Sequence, residues 1–309
     1  MNGRRVAAVI LNWNLPMETV ACAVSLREQN YSPLTMIVVD NGSVDDSVDV
    51  IHRLVPDAKL IALDRNRGYA GGMNAGISEA LALGADYVML LNNDVRLRPG
   101  ALETLVKAAE ARRTAGALGA VTLSEDDPPR VLFAGGWTLL GGSWHMHSFR
   151  AATRIRRVDW LEGSVMLLRS SALRAVGLLD ESFFLYGEDV ELCQRLVSQD
   201  FTIVIVPEAQ AVHRTSSSFS AAPWVRAYYL ARGKVLLARR SDGIVKLCLA
   251  AQIGIPIGAV WSALRSLIGE APWQTIGAQL RGVWDGLQGR TGLVDRYIPV
   301  PPDRHTLGP

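Results

Sequence analysis

Two amides and a carboxylate follow an apolar run in the first third of the chain. Residues 87–91 read YVMLL, and Asn92, Asn93 and Asp94 come directly after them. Asn and Asp are frequent in turns and helix caps, because they tolerate left-handed backbone. Their oxygens are also the ligands that hard divalent cations prefer. The segment therefore predicts either a simple turn or a metal and nucleotide site at the end of a buried strand.

Similar polar residues follow the other apolar runs of this region. They are Asn12 and Asn14 after residues 6–11, Asp40 and Asn41 at the end of residues 35–40, and Asp64, Arg65 and Asn66 after residues 59–63. A turn explains each of them singly. Their convergence favours a binding site, because ligands of open α/β sheets bind beyond the carboxyl ends of the strands.

Helical patterns separate these apolar runs. They cover residues 15–30, 42–55, 68–84 and 100–116, with Ser43 as the expected N-cap of the second and Gly116 near the end of the fourth. The alternation predicts an α/β fold with a mostly parallel, Rossmann-like sheet flanked by helices. No P-loop motif occurs, and no G-x-G-x-x-G follows the first strand, which argues against a P-loop ATPase and a nicotinamide-binding domain.

A second acidic cluster lies at residues 188–191. A helix is expected to start near Gly187, so Glu188 and Asp189 lie in its first turn, where the helix dipole favours acids. The alternative is a carboxylate base that a rigid helix presents to a cleft. Glu191 and Arg195 are four residues apart and can pair, which would leave Asp189 free on another face.

The middle of the chain loses its periodicity. Residues 136–150 mix glycine with Trp137, Trp144, His145 and His147, which could stack on sugars or form a small satellite core. The two histidines are weak metal candidates, because no Cys or acid lies near them in sequence.

The basic run at Arg150, Arg154, Arg156 and Arg157 is either a solvated loop or a surface for a phosphate-bearing acceptor or anionic lipid. Residues 201–213 predict a strand and a hairpin-like return ending at His213, which could be structural or reach a metal.

Composition restricts the class of protein. The chain has 309 residues, 49% hydrophobic and 20% charged, enough for one large α/β domain and a smaller appendage. A net charge of +2 gives no reason to expect nucleic-acid binding. The three cysteines form no C-x-x-C pair, which favours a reducing compartment and argues against a disulfide framework.

The C-terminal third differs from the rest. Residues 224–240 are basic and amphipathic, and residues 244–264 are long and apolar. We favour helices lying on a membrane surface or in a dimer interface over a true membrane span. The expected division is a catalytic domain at 1–222, with a nucleotide half at about 1–122 and an acceptor half at about 123–222, a helical region at 223–295, and a flexible tail at 296–309.

Six segments together resemble inverting glycosyltransferases of family 2, which have the GT-A fold. They read VVDNGSVDDS, NRGYAGGMNAGI, MLLNNDV, WLEGSVMLLRS, FFLYGEDVELCQR and VPEAQAVHRTSSS, and the resemblance covers about residues 6–240. The chain looks most like bacterial rhamnosyltransferase-like members that build cell-surface polysaccharides.

The resemblance implies roles for individual residues. Asp189 matches the catalytic base, Asp94 the acid that meets a divalent metal, and His213 a histidine that can join it. The resemblance also matches Asp40, Asn66, the segment from Gly71 to Asn74 and the NND motif (Asn92, Asn93 and Asp94) to the nucleotide-sugar site. We expect the strand-end residues Asn12, Asn14 and Asn41 to join that site. The candidates for contacts with the acceptor or the sugar are Trp160, Glu162, Gly163 and Glu188, and Trp160 and Glu162 could instead have a packing role. Asn92 departs from the family pattern, because an amide replaces the first acid of the D-x-D-type motif.

The implied activity is metal-dependent, inverting transfer of a sugar to a glycan or lipid-linked acceptor. The expected donor is dTDP- or UDP-linked, with dTDP-L-rhamnose first, and the expected cation is Mn²⁺ or Mg²⁺. The expected location is cytoplasmic, on the inner face of the cell membrane, with a possible homodimer. One alternative is a sugar-nucleotide-forming nucleotidyltransferase, which would need a basic glycine-rich loop after the first strand; the other is a non-catalytic glycan-binding protein on the same fold.

Overall fold

The computed structural model describes residues 3–139, 142–147, 154–214, 222–240 and 273–294. Its strands are β1 (Val6–Asn12), β2 (Leu34–Asp40), β3 (Lys59–Ala62), β4 (Tyr87–Asn92), β5 (Val95–Leu97), β6 (Ala115–Leu123), β7 (Val131–Phe133), β8 (Gly136–Leu139), β9 (Gly142–His145), β10 (Arg156–Arg157), β11 (Val165–Arg169) and β12 (Thr202–His213). Its α-helices are α1 (Pro16–Arg27), α2 (Ser47–Leu54), α3 (Gly68–Ala82), α4 (Ala101–Ala111), α5 (Ser170–Val176), α6 (Glu188–Ser198), α7 (Pro223–Arg240) and α8 (Trp273–Leu287), and a 3₁₀ turn covers Glu181–Phe183.

One large sheet organises these elements. Its strand order is β10-β12-β6-β11-β4-β1-β2-β3, with β5 beside β12 and β7 beside β6. Strands β3, β2, β1 and β4 are parallel, so their carboxyl ends share one edge. β11 runs antiparallel between β4 and β6, which brings the start of β11 to that same edge. The predicted α/β class is confirmed.

The sheet is buried on both faces. Val9 and Leu90 point towards α3, whereas their neighbours Ile10 and Leu91 point towards the side of α1 and α4. All four are fully buried. Side chains alternate between the two faces of a strand, so a strand that is covered on both faces must be apolar at every position. This explains the continuous apolar runs in the sequence.

Three predicted boundaries differ from the structure. The second helix begins at Ser47 with Asp46 as its N-cap residue, so Ser43 is not the cap. The fourth helix ends at Ala111, and Gly116 lies inside β6, where a methyl group would be 2.9 Å from Phe201 Cβ. Residues 202–213 form one long strand and no hairpin, with an irregular register between Val206 and Gln210. Proline at 207 lacks the amide that a regular ladder requires.

Two parallel helices follow the sheet. Ala278, Gly282 and Gly286 are spaced four apart on α8, and the two glycines lie directly against α7. A methyl group at Gly282 would be 2.3 Å from the carbonyl oxygen of Tyr228, so only glycine permits this approach. Among the helices of the described residues, none is long and apolar enough to cross a membrane. The predictions for 244–264 and for the tail at 296–309 lie outside the described residues.

Candidate active site

A buried polar network joins the ends of β1 and β2. Asn12 donates its Nδ2 to Asp40 Oδ1 at 2.7 Å and accepts from the Thr19 hydroxyl at 2.6 Å. The Asp40 carboxylate also accepts from the Ser43 hydroxyl at 2.6 Å and the Ser43 amide at 3.0 Å. Asp40 is 1% exposed. These contacts fix its orientation, and Oδ2 retains acceptor capacity for one more donor.

Asn14 completes this corner of the site. Its backbone is left-handed, with φ at 54°, and its Oδ1 accepts from the Val44 amide at 2.8 Å. Its Nδ2 is buried and has no hydrogen-bond partner among the described residues. A buried amide donor without an acceptor is costly, so a ligand atom is a natural partner for it.

Asn41 fixes the segment that enters α3. Its Nδ2 donates to Asn66 Oδ1 at 3.1 Å and to the Gly68 carbonyl at 3.0 Å, and its Oδ1 accepts from the Arg67 amide at 2.9 Å. Gly68 has φ at 73°, and a methyl group there would be 2.2 Å from the carbonyl oxygen of Phe184. Asn41 and Asn66 therefore lie on the predicted edge, and they hold a loop next to the segment that precedes α6.

Gly71 and Asn74 have a different environment. Asn74 donates to the Leu179 carbonyl at 2.8 Å and to Glu181 Oε1 at 2.9 Å, and it accepts from the Leu179 amide at 3.0 Å. A methyl group at Gly71 would be 2.7 Å from Arg67 Cβ. Both residues lie beyond the first turn of α3, against residues 179–181, and the structure does not bring them together with Asn12 and Asp40.

Asp94 and His213 form a pair. His213 Nε2 lies 3.0 Å from Asp94 Oδ1, because β5 pairs with β12 and sets His213 opposite Val95. Asp94 is buried and His213 is half-buried. Burial lowers the pKa of His213, but the hydrogen bond and charge of Asp94 outweigh burial and raise it. A carboxylate and an imidazole side by side form a two-ligand set for a divalent cation.

An ion-pair network surrounds the Asp94–His213 pair. Arg96 pairs with Glu18 and donates to the Asn93 carbonyl at 2.8 Å. Glu18 also lies 3.2 Å from the guanidinium of Arg214, whose backbone amide donates to the Asp94 carbonyl at 3.0 Å. The network thus joins α1, β5 and the end of β12 around Asp94.

Asp189 lies in the first turn of α6, as predicted. Its Oδ1 accepts from the Val190 amide at 2.8 Å and its Oδ2 from the Gly163 amide at 3.3 Å. Burial raises the pKa of Asp189 to about 6, which the Val190 amide opposes and the charge of Glu162 reinforces. The expected pair between Glu191 and Arg195 forms at 2.8 Å, and no arginine of the described segments pairs with Asp189. A carboxylate with a pKa near 6 can accept a proton at neutral pH.

A short series of backbone contacts connects the two acidic sites. The Asn92 amide donates to the Ser164 carbonyl at 3.0 Å, and the amide of the preceding residue, Gly163, donates to Asp189. The Gly163 carbonyl in turn accepts from the Tyr69 hydroxyl at 2.7 Å. The NND turn and the start of α6 therefore meet at one edge of the sheet. The charge of Glu162 contributes to the raised pKa of both Asp189 and His213.

The candidate acceptor residues differ in exposure. Glu188 is 4% exposed, and burial together with Asp189 raises its pKa well above the usual value. Its Oε2 has no hydrogen-bond partner within the part of the chain that the structure describes. Trp160 is 2% exposed and packs on Gly136 and Phe133, whereas Trp137 is 40% exposed.

The histidines of the β8–β9 hairpin have a partner that the sequence argument missed. His145 Nδ1 lies 3.2 Å from Glu162 Oε1, although we expected no acid nearby. The pairing requires β9 to fold back on β8, which lies beside residues 159–160 just before Glu162, and local sequence does not specify this. Within the described residues, no three His, Cys, Asp or Glu side chains are grouped to hold a metal.

Sequence reasoning also missed Tyr69, Ser43 and Arg232. The three-residue spacing from Asp40 to Ser43 is a usable signal, since an Asp carboxylate often accepts from nearby backbone and hydroxyl groups. Arg232 on α7 is fully buried and donates to the Phe183 carbonyl at 2.7 Å, just before Asp189's helix. No local pattern marks it, because its burial depends on the packing of α7.

Comparison with known proteins identifies the family. The model of glycosyl transferase family 2 matches residues 9–164, and a second model, of glycosyl transferase family group 2, matches residues 87–279. The chain belongs to glycosyl transferase family 2. It is a glycosyltransferase, and the family assigned from the sequence motifs is confirmed.

Individual relatives agree with this assignment. The chain is 29% identical to the N-acetylglucosaminyl-diphospho-decaprenol L-rhamnosyltransferase of Mycobacterium tuberculosis H37Rv, over 69% of this chain and 76% of the relative. It is 25% identical to the dTDP-rhamnosyl transferase RfbF of Shigella flexneri, over 76% and 80%. The mannosyltransferase PcManGT of Pyrobaculum calidifontis, solved with GDP-Man and Mn²⁺, shares the fold with a TM-score of 0.59 at 17% identity, over 92% of this chain and 87% of that one.

Proposed function

We propose that this glycosyltransferase moves L-rhamnose from dTDP-L-rhamnose to a lipid-linked or glycan acceptor in cell-surface polysaccharide synthesis, with inversion at the sugar carbon. The names of two relatives specify rhamnosyl transfer, and one of them specifies a dTDP donor. The name of the mycobacterial relative specifies an acceptor linked through diphosphate to decaprenol.

The observation that carries the proposal is the meeting of two acidic groups at one sheet edge. Asp94 with His213 supplies ligands for a cation, and Asp189 supplies a base, while the Asn92–Ser164 and Gly163–Asp189 hydrogen bonds join the two. A diphosphate leaving group and an acceptor hydroxyl are the two reacting ends of a sugar nucleotide transfer. In this arrangement the Asp94–His213 pair serves the diphosphate, and Asp189 serves the acceptor hydroxyl.

The residues present fit a divalent cation. Asp94 Oδ1 and His213 Nε2 are 3.0 Å apart, close enough for both to reach one ion at metal–ligand distances of about 2.1 Å. A carboxylate and an imidazole, completed by diphosphate oxygens, suit Mn²⁺ somewhat better than Mg²⁺. When bound, the cation would stabilise the charge that develops on the leaving diphosphate. Because residue 92 is Asn and not Asp, Asp94 is the single carboxylate among residues 92–94.

Asp189 acts as the base in this proposal. Its pKa of about 6 leaves it ionised at neutral pH, so it can take the proton of the acceptor hydroxyl during attack. Two backbone amides hold both of its oxygens, so α6 fixes the direction from which the hydroxyl approaches. A single displacement of this kind needs no covalent nucleophile and inverts the sugar carbon.

Asp40 and Asn14 are proposed to bind the nucleotide base. Pyrimidine rings present imide N–H and carbonyl groups, which are complementary to a carboxylate oxygen and an amide N–H. Asp40 Oδ2 accepts only from the Ser43 amide, and Asn14 Nδ2 lacks a partner among the described residues. These two groups provide one acceptor and one donor.

We propose that the protein acts at the inner face of the cell membrane, as a peripheral membrane protein. Residues 223–240 and 273–287 are helical, and residues 223–240 hold five Lys and Arg and no acid. The acceptor named for the mycobacterial relative carries a decaprenol lipid, which supports a membrane location.

A donor panel tests the proposal. Full-length protein is incubated with dTDP-L-rhamnose, UDP-linked sugars or GDP-mannose, with Mn²⁺, Mg²⁺ or chelator, and nucleoside diphosphate release is measured with and without lipid-linked acceptors. We expect release from dTDP-L-rhamnose that chelation abolishes. Asp189→Asn should abolish release, whereas Asp49→Asn, an exposed acid in the first turn of α2, should not. Release from another donor alone, or release unaffected by chelator, would contradict the donor or the metal assignment respectively.

A further inference from the structure

The outer face of α8 is an exposed apolar stripe. Trp273, Leu280, Trp284 and Leu287 are 61%, 54%, 55% and 38% exposed. At 100° per residue, these four positions fall within an arc of roughly 60° on one side of the helix. We call these four residues the α8 stripe. Large contiguous apolar surfaces on proteins mark sites of interaction.

The inner face of α8 is already occupied. Ala278, Gly282, Asp285 and Gly286 are buried against α7, on the side of α8 opposite the stripe. Tyr228 of α7 donates its hydroxyl to Asp285 Oδ2 at 2.9 Å. The contact with α7 therefore fixes the rotation of α8 and directs the stripe away from α7.

The helix pair that carries the stripe is strongly basic. Arg232 is buried and Arg240 pairs with Asp180, so five exposed Lys and Arg remain on residues 223–240 and 273–294. With one acid, Asp285, the balance is +4, in a chain whose formal net charge is +2. Arg281 and Arg290 both pair with the single acid, Asp285, at 3.1 and 3.2 Å. The exposed positive charge thus lies mainly on α7, next to the helix that carries the exposed tryptophans.

We propose that the α8 stripe docks on the surface of an anionic lipid bilayer, with α8 lying in the plane of the interface. Tryptophan concentrates at the boundary between headgroups and acyl chains, because its ring is apolar and its N–H is polar. A helix with Trp and Leu on one face and arginines beside them binds such a boundary through apolar burial and through attraction to anionic headgroups.

The charge favours a membrane over a second copy of this chain. A symmetric dimer through the α8 stripe would bring two positively charged helix pairs together, and like charges across an interface oppose association. An anionic bilayer offers the opposite charge over a wide area. The third candidate to cover the stripe is another segment of the same chain. The experiment below distinguishes this case from membrane binding.

Docking would also orient the cleft. Arg232 of α7 donates to the Phe183 carbonyl, and Gly233 lies against the carbonyl of Tyr186, so α7 contacts the segment that leads to Asp189. The helix pair is therefore attached to the element that carries the base. The idea that docking brings the site to a lipid-linked acceptor rests on the proposed function. Vesicle binding does not, because it is measured without donor or acceptor.

Vesicle flotation tests the proposal with full-length protein. Vesicles of phosphatidylcholine alone are compared with vesicles that contain phosphatidylglycerol, at low and high salt. We expect binding to the anionic vesicles that weakens as salt rises. The double variant L280E/W284E should reduce this binding at least tenfold. Gln274→Glu is exposed on the same helix outside the stripe, and it should retain most of the binding.

Each other outcome overturns the proposal. Wild-type protein that does not float with anionic vesicles excludes the bilayer. A dimer that L280E/W284E dissociates, seen by light scattering without vesicle binding, assigns the stripe to a second copy. A large fall in Tm in L280E/W284E but not in Gln274→Glu, without vesicle binding by the wild type, assigns it to the chain's own packing. Donor hydrolysis is measured in parallel, so failure of glycosyl transfer is scored separately.

Discussion

At the scale of single residues, neighbouring acids have different environments. Asp189 receives hydrogen bonds from two backbone amides, whereas Glu188 is more deeply buried and has an oxygen without a partner among the described residues. Burial raises the pKa of both carboxyls, and it raises that of Glu188 well above its usual range. The difference suits Asp189, which is ionised at neutral pH, to accept a proton.

The pH dependence of the reaction should report Asp189. Because its carboxylate must be ionised and burial raises its pKa to about 6, we expect kcat/KM to fall about tenfold for each pH unit below 6. The measurement is kcat/KM with a saturating second substrate between pH 5 and 8.5, with circular dichroism as a control for folding. A flat profile down to pH 5 would rule out Asp189 as the group that limits the rate.

The same pKa predicts a gain of stability on removal of the charge. The folded carboxyl binds its proton more tightly than the unfolded one, whose pKa is about 3.9, so stability declines as pH rises from about 4 to 6. Asp189→Asn should therefore have a higher Tm than wild type at pH 7.5, and the difference should vanish near pH 4. Asp49→Asn, exposed on α2, should show no such gain, and an equal gain in both variants would contradict this explanation.

At the scale of elements, Gly163 joins three parts of the site. Its amide binds Asp189 on α6, its carbonyl accepts from Tyr69 on α3, and it precedes the Ser164 contact with β4. A methyl group on Gly163 would be 2.4 Å from the Tyr69 hydroxyl, so this position has no room for a side chain. The relative placement of base and metal ligands depends on this junction.

Removing the Tyr69 hydroxyl should weaken catalysis more than stability. Tyr69→Phe leaves the Gly163 carbonyl without its donor, at a cost of about 1 kcal/mol, and frees the segment that holds Asp189. We expect kcat to fall about tenfold, with the concentration of Mn²⁺ for half-maximal activity unchanged. Tyr31→Phe loses an equivalent hydrogen bond, to the Arg4 carbonyl, far from the site. Equal activities of the two variants would show that the Tyr69 contact has no role in the reaction.

At the scale of the whole molecule, the C-terminal helices and the sheet share a core. Leu236 and Leu237 of α7 are buried in the same cluster as Phe183 and the strands of the sheet. Arg232, fully buried, adds a hydrogen bond to the segment before α6. The division at residue 222 stays a prediction, and these contacts imply that α7 stabilises the catalytic domain directly.

Separating α7 from α8 should therefore affect both stability and activity. Gly282→Ala places a methyl group 2.3 Å from the Tyr228 carbonyl, and overpacking of this kind costs about 1–3 kcal/mol. We expect a clear fall in Tm and in kcat, measured by thermal unfolding and donor turnover. Gly277→Ala on the same helix meets no atom within 4 Å, so it should be neutral or slightly stabilising. Identical behaviour of both variants would mean that the two helices can separate without consequence.

The sequence by itself determined the α/β layers and the edge on which the site lies. Continuous apolar runs are buried on both faces, and parallel strands place the residues after them, such as Asn12, Asp40 and Asp94, on one edge. The start of α6 could likewise be predicted from local sequence, since a glycine followed by acids marks the start of a helix. These features depend on residues close together in the chain.

Only the tertiary structure decided which side chains meet. Asp94 and His213 are 119 residues apart and pair because β5 lies beside β12, and Tyr69 reaches Gly163 across 94 residues. The tertiary structure also directs Asn74 towards residues 179–181 and buries Trp160. Periodicity specifies which face of an element is buried, but the partner across that face depends on strand order and on the volume that the other elements leave. That information is held by the packed chain as a whole.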